Sequence, residues 1–307
     1  MKPEWKYLTP NDETTVLGLI KEWMPRFAPS AAMHLYHYTT GDNLIRIIES
    51  GKLWSTQITC LNDTAEVRYA VEELHRRVRA RRAGAHRLYI DPLLRRLDEV
   101  LSNSQLETAP LFIACFSEEK DDLSQWRAYS GDEGGYAIRF DLQKLAKSGV
   151  GSECLLLKVE YEPENQANLL DDIVNRAEQH YINCEGRQRA ANLDEWTQEF
   201  VHFYLWRIEI FLACLKHPAF RDEKEWRLVC YLSPDNPTPM RFLQRQSMMS
   251  RHLPLALNGQ LPITGVLVGP CRYPMLSRIA VNDLLQANGY DAAIAKVDVT
   301  EIPYRTI

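Results

Sequence analysis

Seven short apolar runs, broken up by two long helical stretches, constrain this chain more than any other feature. The runs are Leu35–Tyr38, Leu111–Phe116, Gly135–Phe140, Leu155–Tyr161, Trp226–Leu232, Thr264–Val268 and Ala292–Val299. Each is rich in β-branched, aromatic or leucine residues, which suit a pleated, half-buried surface. The helical stretches extend from Ala65 to about Ser102 and from about Asn168 to Leu215, the second with Phe200, Phe203, Leu205 and Ile208 at roughly helical spacing. Strand and helix do not alternate regularly, which argues against a doubly wound parallel sheet. The pattern predicts an α+β fold, a mixed and mainly antiparallel sheet of about six or seven strands. Its two helical insertions fall at about 65–105 and 165–216. With no internal repeat or low-complexity linker to mark a boundary, residues 31–307 read as a single domain and residues 1–30 as an N-terminal extension.

The chain has 307 residues, 45% of them apolar, enough for a sizeable core. Its 36 basic and 41 acidic residues leave a formal charge of -5, so the molecule as a whole does not attract nucleic acid or an acidic membrane. No apolar run approaches the roughly 18 residues of a membrane span, and the opening M-K-P-E-W-K-Y-L-T-P lacks a signal-peptide core, so a cytoplasmic location without membrane contact is expected. The cysteines, Cys60, Cys115, Cys154, Cys184, Cys214, Cys230 and Cys271, form no C-x-x-C pair and read as reduced, buried thiols. His34 and His37 form an H-x-x-H, but on a strand they point to opposite faces, so no metal site is expected. Neither G-x-G-x-x-G nor G-x-x-x-x-G-K-[ST] is present.

Three segments carry residue types suited to chemistry. In L-Y-H-Y-T-T-G-D-N-L-I-R-I-I-E-S-G-K-L, residues 35–53, a strand runs into a helix, with Thr40 as N-cap, an apolar face of Leu44, Ile45, Ile47 and Ile48, and Gly51 as C-terminal cap. Leu35, His37 and Thr39 share one strand face while Tyr36 and Tyr38 take the other. His37 and Thr39 can meet a ligand at the strand end, or His37 can be a satisfied structural histidine. Between the strands of residues 112–141 lies a polar connection with Ser117, Ser124, Gln125, Trp126, Arg127, Tyr129, Gly131, Gly134 and Gly135. Arg127 suits a bidentate clamp on phosphate or carboxylate, and Trp126 or Tyr129 a stacking platform; the bland alternative is a core tryptophan beside a salt-bridged arginine. In K-H-P-A-F-R-D-E-K-E-W-R-L-V-C-Y-L, residues 216–232, a strand starting near Glu223 would set Glu223, Glu225 and Arg227 on one face. Paired carboxylates raise the pKa of one member, unless Arg227 neutralises them or the segment is a solvated strand end.

Two weaker features remain. Arg76, Arg77, Arg79, Arg81 and Arg82 crowd one helical stretch and suit weak nucleic-acid contact, but no aromatics interleave, and a solvated helix face is the plainer reading. Cys214 and His217 are close in sequence but have no orienting acid.

Taken together, L-Y-H-Y-T, L-N-D-T-A-E (61–66), C-F-S-E (115–118), L-S-Q-W-R-A-Y with G-G-Y-A-I-R-F-D, K-H-P-A-F-R-D-E-K-E-W-R-L-V and I-P-Y-R (302–305) resemble the bacterial domain-of-unknown-function family numbered 2971, from about His34 to the C-terminus. The first and third segments also resemble the ADP-ribosyltransferase fold. That resemblance implies that His37 holds a ribose hydroxyl of NAD, that Glu225 is the catalytic glutamate and that Glu223 supports the acceptor. The middle motif departs from that pattern and leaves Tyr129, Trp126 or Tyr136 as the nicotinamide platform, with Tyr38, Thr39, Ser117 and Arg127 as further binding candidates.

On this resemblance the chain would cleave the nicotinamide bond of NAD and pass ADP-ribose to a protein, a nucleic acid or water, in a toxin, defence or stress role. A fixed carboxylate stabilises the positive charge that develops on the ribose, so Glu225→Gln would cost roughly 10²- to 10³-fold in rate. The competing expectation is a non-catalytic nucleotide- or peptide-binding regulatory module of a stress or phage-defence system. Catalysis requires His37, the W-R-x-Y segment and Glu225 to line one cleft.

Overall fold

Short strands with apolar residues on both faces need cover on both sides, and the chain supplies it with a helical layer on one face and scattered helices on the other. The computed structural model describes residues 6–27, 33–61, 65–84, 89–102, 111–130, 134–147, 154–231, 240–245 and 248–303. In chain order the elements are α1 (Pro10–Trp23), β1 (His34–Thr40), α2 (Gly41–Ser50), β2 (Leu53–Gln57), α3 (Ala65–Gly84), α4 (Asp91–Ser102), β3 (Leu111–Ser117), α5 (Leu123–Tyr129), β4 (Gly135–Asp141) and α6 (Leu142–Lys147). There follow β5 (Cys154–Lys158), α7 (Pro163–Asn183), α8 (Glu185–Arg189), α9 (Leu193–Leu212), β6 (Glu225–Tyr231), β7 (Arg241–Arg245), β8 (Met248–Leu255), β9 (Ile263–Val268), α10 (Pro274–Ala287) and β10 (Lys296–Val299). Among the described residues no helix is long and apolar enough to cross a membrane.

The α+β class and the mainly antiparallel sheet stand, but among the described residues the sheet has ten strands rather than six or seven, and of its strand pairs only β9–β10 is parallel. The additional strands are β2, β7 and β8. R-F-L-Q-R and M-M-S-R-H-L-P-L carry charged or polar residues because β7 is an outer strand with an exposed face, so their composition hides them from a search for apolar runs. The expected run at Ala292–Val299 is a strand only from Lys296, and Leu155–Tyr161 is one only from Cys154 to Lys158. Leu232, and parts of the L-N-D-T-A-E and I-P-Y-R motifs, lie outside the described residues.

β3 reads L-F-I-A-C-F-S because it is the central strand, covered on both faces. One of its edges pairs β6 from Leu111 to Ser117. The other edge is divided, pairing β2 at Phe112 and Ile113 and β1 only where Tyr36 faces Ser117. The sheet therefore forks along β3. On one face Leu111, Ile113, Leu157 and Val229 pack under the layer formed by α1, α3, α4, α7 and α9, with Trp23, Phe27, Trp196, Phe200, Phe203 and Phe211 inside it. On the other face Leu35, Phe112, Phe116, Ile138, Phe140, Trp226, Leu253 and Leu255 pack with residues of α2, α6 and α10. Each large apolar side chain sealed in this way contributes about 1.5 to 3 kcal/mol.

The β1–α2 unit forms as its sequence prescribes. Leu44, Ile47 and Ile48 are buried, and Gly51 closes α2 in the left-handed conformation at φ 59°. Thr40 holds the N-cap position, but its side chain makes no capping bond, and Ile45 is exposed. The cysteine expectation is corrected. Cys154 and Cys230, directly opposite each other across β5–β6, form a disulfide. Spacing along the chain gives no sign of such a pair, because the partners are 76 residues apart.

Candidate functional site

α9 ends at Leu212, and the chain turns back toward the sheet through Lys216 and a 3₁₀ turn at Pro218–Glu223. Lys224 follows in the left-handed region, at φ 43°, a bend uncommon for a residue with a side chain. β6 therefore begins at Glu225, and Glu223 lies in the preceding turn rather than on the strand as expected. The two carboxylates still meet, because the Lys216 ammonium donates to Glu223 Oε2 at 2.5 Å and to Glu225 Oε2 at 3.0 Å. Arg227 grips Glu225 bidentately, Nε to Oε1 at 2.8 Å and Nη2 to Oε2 at 2.9 Å, and its Nη1 donates to the Ala213 carbonyl at 2.5 Å. The Cys115 thiol also donates to the Glu225 carboxylate, and the Glu225 amide donates to the Tyr161 hydroxyl at 3.0 Å.

Glu225 is 6% exposed, Lys216 3% and Arg227 2%, so this is a buried ion cluster of two acids and two bases. Burial pulls the Glu225 carboxyl upward, but Arg227 and Lys216 outweigh it and hold the pKa at about 2. Of the two outcomes open for paired carboxylates, neutralisation by cations prevails. A group this acidic has no proton to donate near neutrality, so its available role is that of a fixed negative charge. Tyr129, at the end of α5, lies in the field of the cluster. Burial, and then the neighbouring Cys115, Glu225 and Glu223, push its hydroxyl pKa well up, so it stays protonated.

Strand register determines which other candidates join this cluster. Arg139 faces Tyr36, Tyr36 faces Ser117 and Ser117 faces Glu225, a row running across β4, β1, β3 and β6 on one face of the sheet. Tyr38 shares that face, and its hydroxyl donates to the Glu119 carbonyl at 2.8 Å. Ser117 Oγ donates to the Glu223 carbonyl at 2.6 Å, tying β3 to the turn. His37, Thr39 and Tyr136 point to the opposite face, with the His37 ring 5.7 Å from Phe116 and Tyr136 packed on the core there. The expectation that His37 and Glu225 line one cleft is therefore corrected: they stand on opposite faces of the sheet. His37 sits at the fork, where its Nδ1 donates to the Cys115 carbonyl at 2.7 Å and satisfies an edge that β1 and β2 leave open.

Trp126 is 1% exposed, donates to Asp121 Oδ1 at 2.7 Å and meets Tyr38 edge-on at 4.7 Å. It is a core anchor, with no face open for stacking. Arg127 is exposed on α5. On α3 each arginine of the basic run meets a carboxylate: Arg76 and Arg77 meet Glu73, Arg79 and Arg82 meet Asp98, and Arg81 meets Glu178. Cys214 is buried, its thiol pushed up to about 12 by that burial, and His217 caps the Ala219 amide. Sequence reasoning did not single out Lys216, Cys115 or Tyr161. The only signal for Lys216 was a lysine closing the apolar run F-L-A-C-L.

The described residues define an α+β protein with an open, mostly antiparallel sheet and a buried ion cluster where the helical layer meets one sheet face. Residues 125–228 match the family model described as "Protein of unknown function (DUF2971)". The matched segment starts in α5 and ends within β6, so it contains Trp126, Arg127, Tyr129, Glu223, Glu225 and Arg227 but not His37. No curated protein and no solved structure matches the chain.

Proposed function

We propose that this chain is a nucleotide-recognising module in which the buried Glu225 cluster is a fixed internal wall rather than a catalytic centre. The observation that supports binding over catalysis is the saturation of Glu225. Both its oxygens accept bonds from Arg227, one also from Lys216, and the two acids and two bases cancel in charge. A carboxylate held this way orders its surroundings but has little uncompensated charge to offer a developing cation. The position of His37 on the other face leaves the ribose contact implied by the ADP-ribosyltransferase resemblance without its residue.

A second reading keeps the NAD chemistry. It is favoured by the permanent ionisation and rigid placement of Glu225, the state required of a group that stabilises an oxocarbenium-like transition state. One experiment separates the two. Purified protein and its Glu225→Gln variant are incubated with NAD, nicotinamide release is followed, and melting temperature is recorded with and without NAD. A melting shift without release is the expected result. Release that the variant loses by about 10²-fold or more would establish the enzyme instead. Neither shift nor release would remove the nucleotide and leave a peptide as ligand.

A further inference from the structure

The row that ends at Glu225 continues in the other direction, where Gly265 faces Arg139 and Lys296 faces Gly265. This part of the face lies beyond the helical layer. It holds a shallow surface depression, with no enclosed volume, lined by Tyr36, Lys120, Arg139, Lys296, Asp298 and the β9 chain at Val266 and Leu267. Three cations line it against a single carboxylate, on a chain whose formal charge is -5. Asp298 lies 3.8 Å from Lys120. Among the described residues, Arg139 and Lys296 have no carboxylate within 4.0 Å.

Arg139 is half-buried and fixed. Its Nε donates to Thr264 Oγ1 at 3.1 Å, its Nη2 donates to the Thr264 carbonyl at 2.5 Å, and it hydrogen-bonds the Tyr36 hydroxyl. Gly265 makes this possible, since a Cβ there would stand 2.7 Å from Arg139 Nη2. A guanidinium laid on a sheet, half out of water and with no carboxylate within 4.0 Å among the described residues, is pre-organised for a planar or tetrahedral oxyanion. The depression is too shallow to enclose a heterocycle, but it accommodates an anionic group bound at the surface.

We infer that this depression binds a phosphate-type oxyanion through Arg139, Lys120 and Lys296, the phosphate end of the nucleotide. The identity of the carrier rests on the nucleotide reading above; the oxyanion site itself does not.

The test is calorimetric titration of the full chain at low salt with inorganic pyrophosphate and, separately, with ADP. Both bind, ADP more tightly, and Arg139→Met weakens both by about 10- to 100-fold. Lys120→Gln and Lys296→Gln, at exposed positions where folding is not at stake, each weaken both by about two- to fivefold. No binding of either probe, or binding indifferent to both lysine variants, overturns the site. Pyrophosphate binding that depends on these residues while ADP and NAD gain nothing over it keeps the oxyanion site and ends the nucleotide reading. ADP binding that ignores Arg139 and both lysines does the reverse.

Discussion

Two glutamates of this molecule are taken out of water and end in opposite charge states. Glu209, on α9, has Oε2 covered without a hydrogen-bond partner among the described residues, and burial alone pushes its pKa up to about 8. Glu225 starts a strand, is covered more completely, and is held at about 2. The difference lies in what else comes out of water alongside each carboxylate. A buried acid by itself keeps its proton, whereas one placed between a guanidinium and an ammonium gives it up. The helical layer can tolerate a neutral glutamate, but the strand end is built around an ionised one.

The largest test of that contrast removes the guanidinium. Arg227→Met should lose about 3 to 5 kcal/mol in urea unfolding at pH 7, because it strands Glu225 beside a single lysine. The folded pKa of Glu225 is depressed, so the stability it contributes is full above the ordinary carboxylate value of 4.5 and falls away as pH drops toward about 2. The gap between wild type and variant should therefore narrow over that window, and a gap that is constant with pH would assign the loss to packing. The next effect has the opposite sign. Glu209 has a raised folded pKa, so its presence lowers stability as pH climbs from 4.5 toward 8. Glu209→Gln should be neutral near pH 4.5 and gain on the order of 2 kcal/mol at pH 8, read from melting temperatures across pH. The smallest effect belongs to the partly exposed ion pairs between α3 and α4. Asp98→Asn, which loosens His75, Arg79 and Arg82 together, should cost less than about 1 kcal/mol, and less still in high salt. A larger loss would show that partial burial is enough to make these pairs count.

Much of the chain could be read beforehand, and the failures share a cause. The β1–α2 unit, the buried run of β3, and β4, β6 and β9 all follow from local pattern, as does the left-handed glycine that closes α2. Alternation along a strand correctly separated His37 from Tyr36 and Tyr38, and set Glu225 with Arg227. It could not reveal that the His37 side of β1 and the Glu225 side of β6 are different faces, because that depends on the register of β1 on β3 and of β3 on β6. The Cys154–Cys230 pair was hidden for the same reason, its partners joined by the return of the chain from a long excursion, whereas Lys216, nine residues from Glu225, was hidden by the turn that folds the two together. Strands β7 and β8 were missed because half their positions face solvent.

That excursion bears on how the molecule folds. β5 and β6 lie side by side, yet α7, α8 and α9 intervene, and the cysteines facing each other across the two strands are 76 residues apart. Such a contact forms only after the entropy of a long loop has been surrendered, which makes it a slow step in chain search. Lys216, Glu223, Glu225 and Arg227 all lie on the returning arm, so the ion pairs of the cluster can assemble within that arm, ahead of this closure. An oxidised Cys154–Cys230 bond would carry the encounter through into the unfolded ensemble. A chain refolding from the oxidised state would start with its two arms already tied, whereas a reduced one must find the meeting point anew.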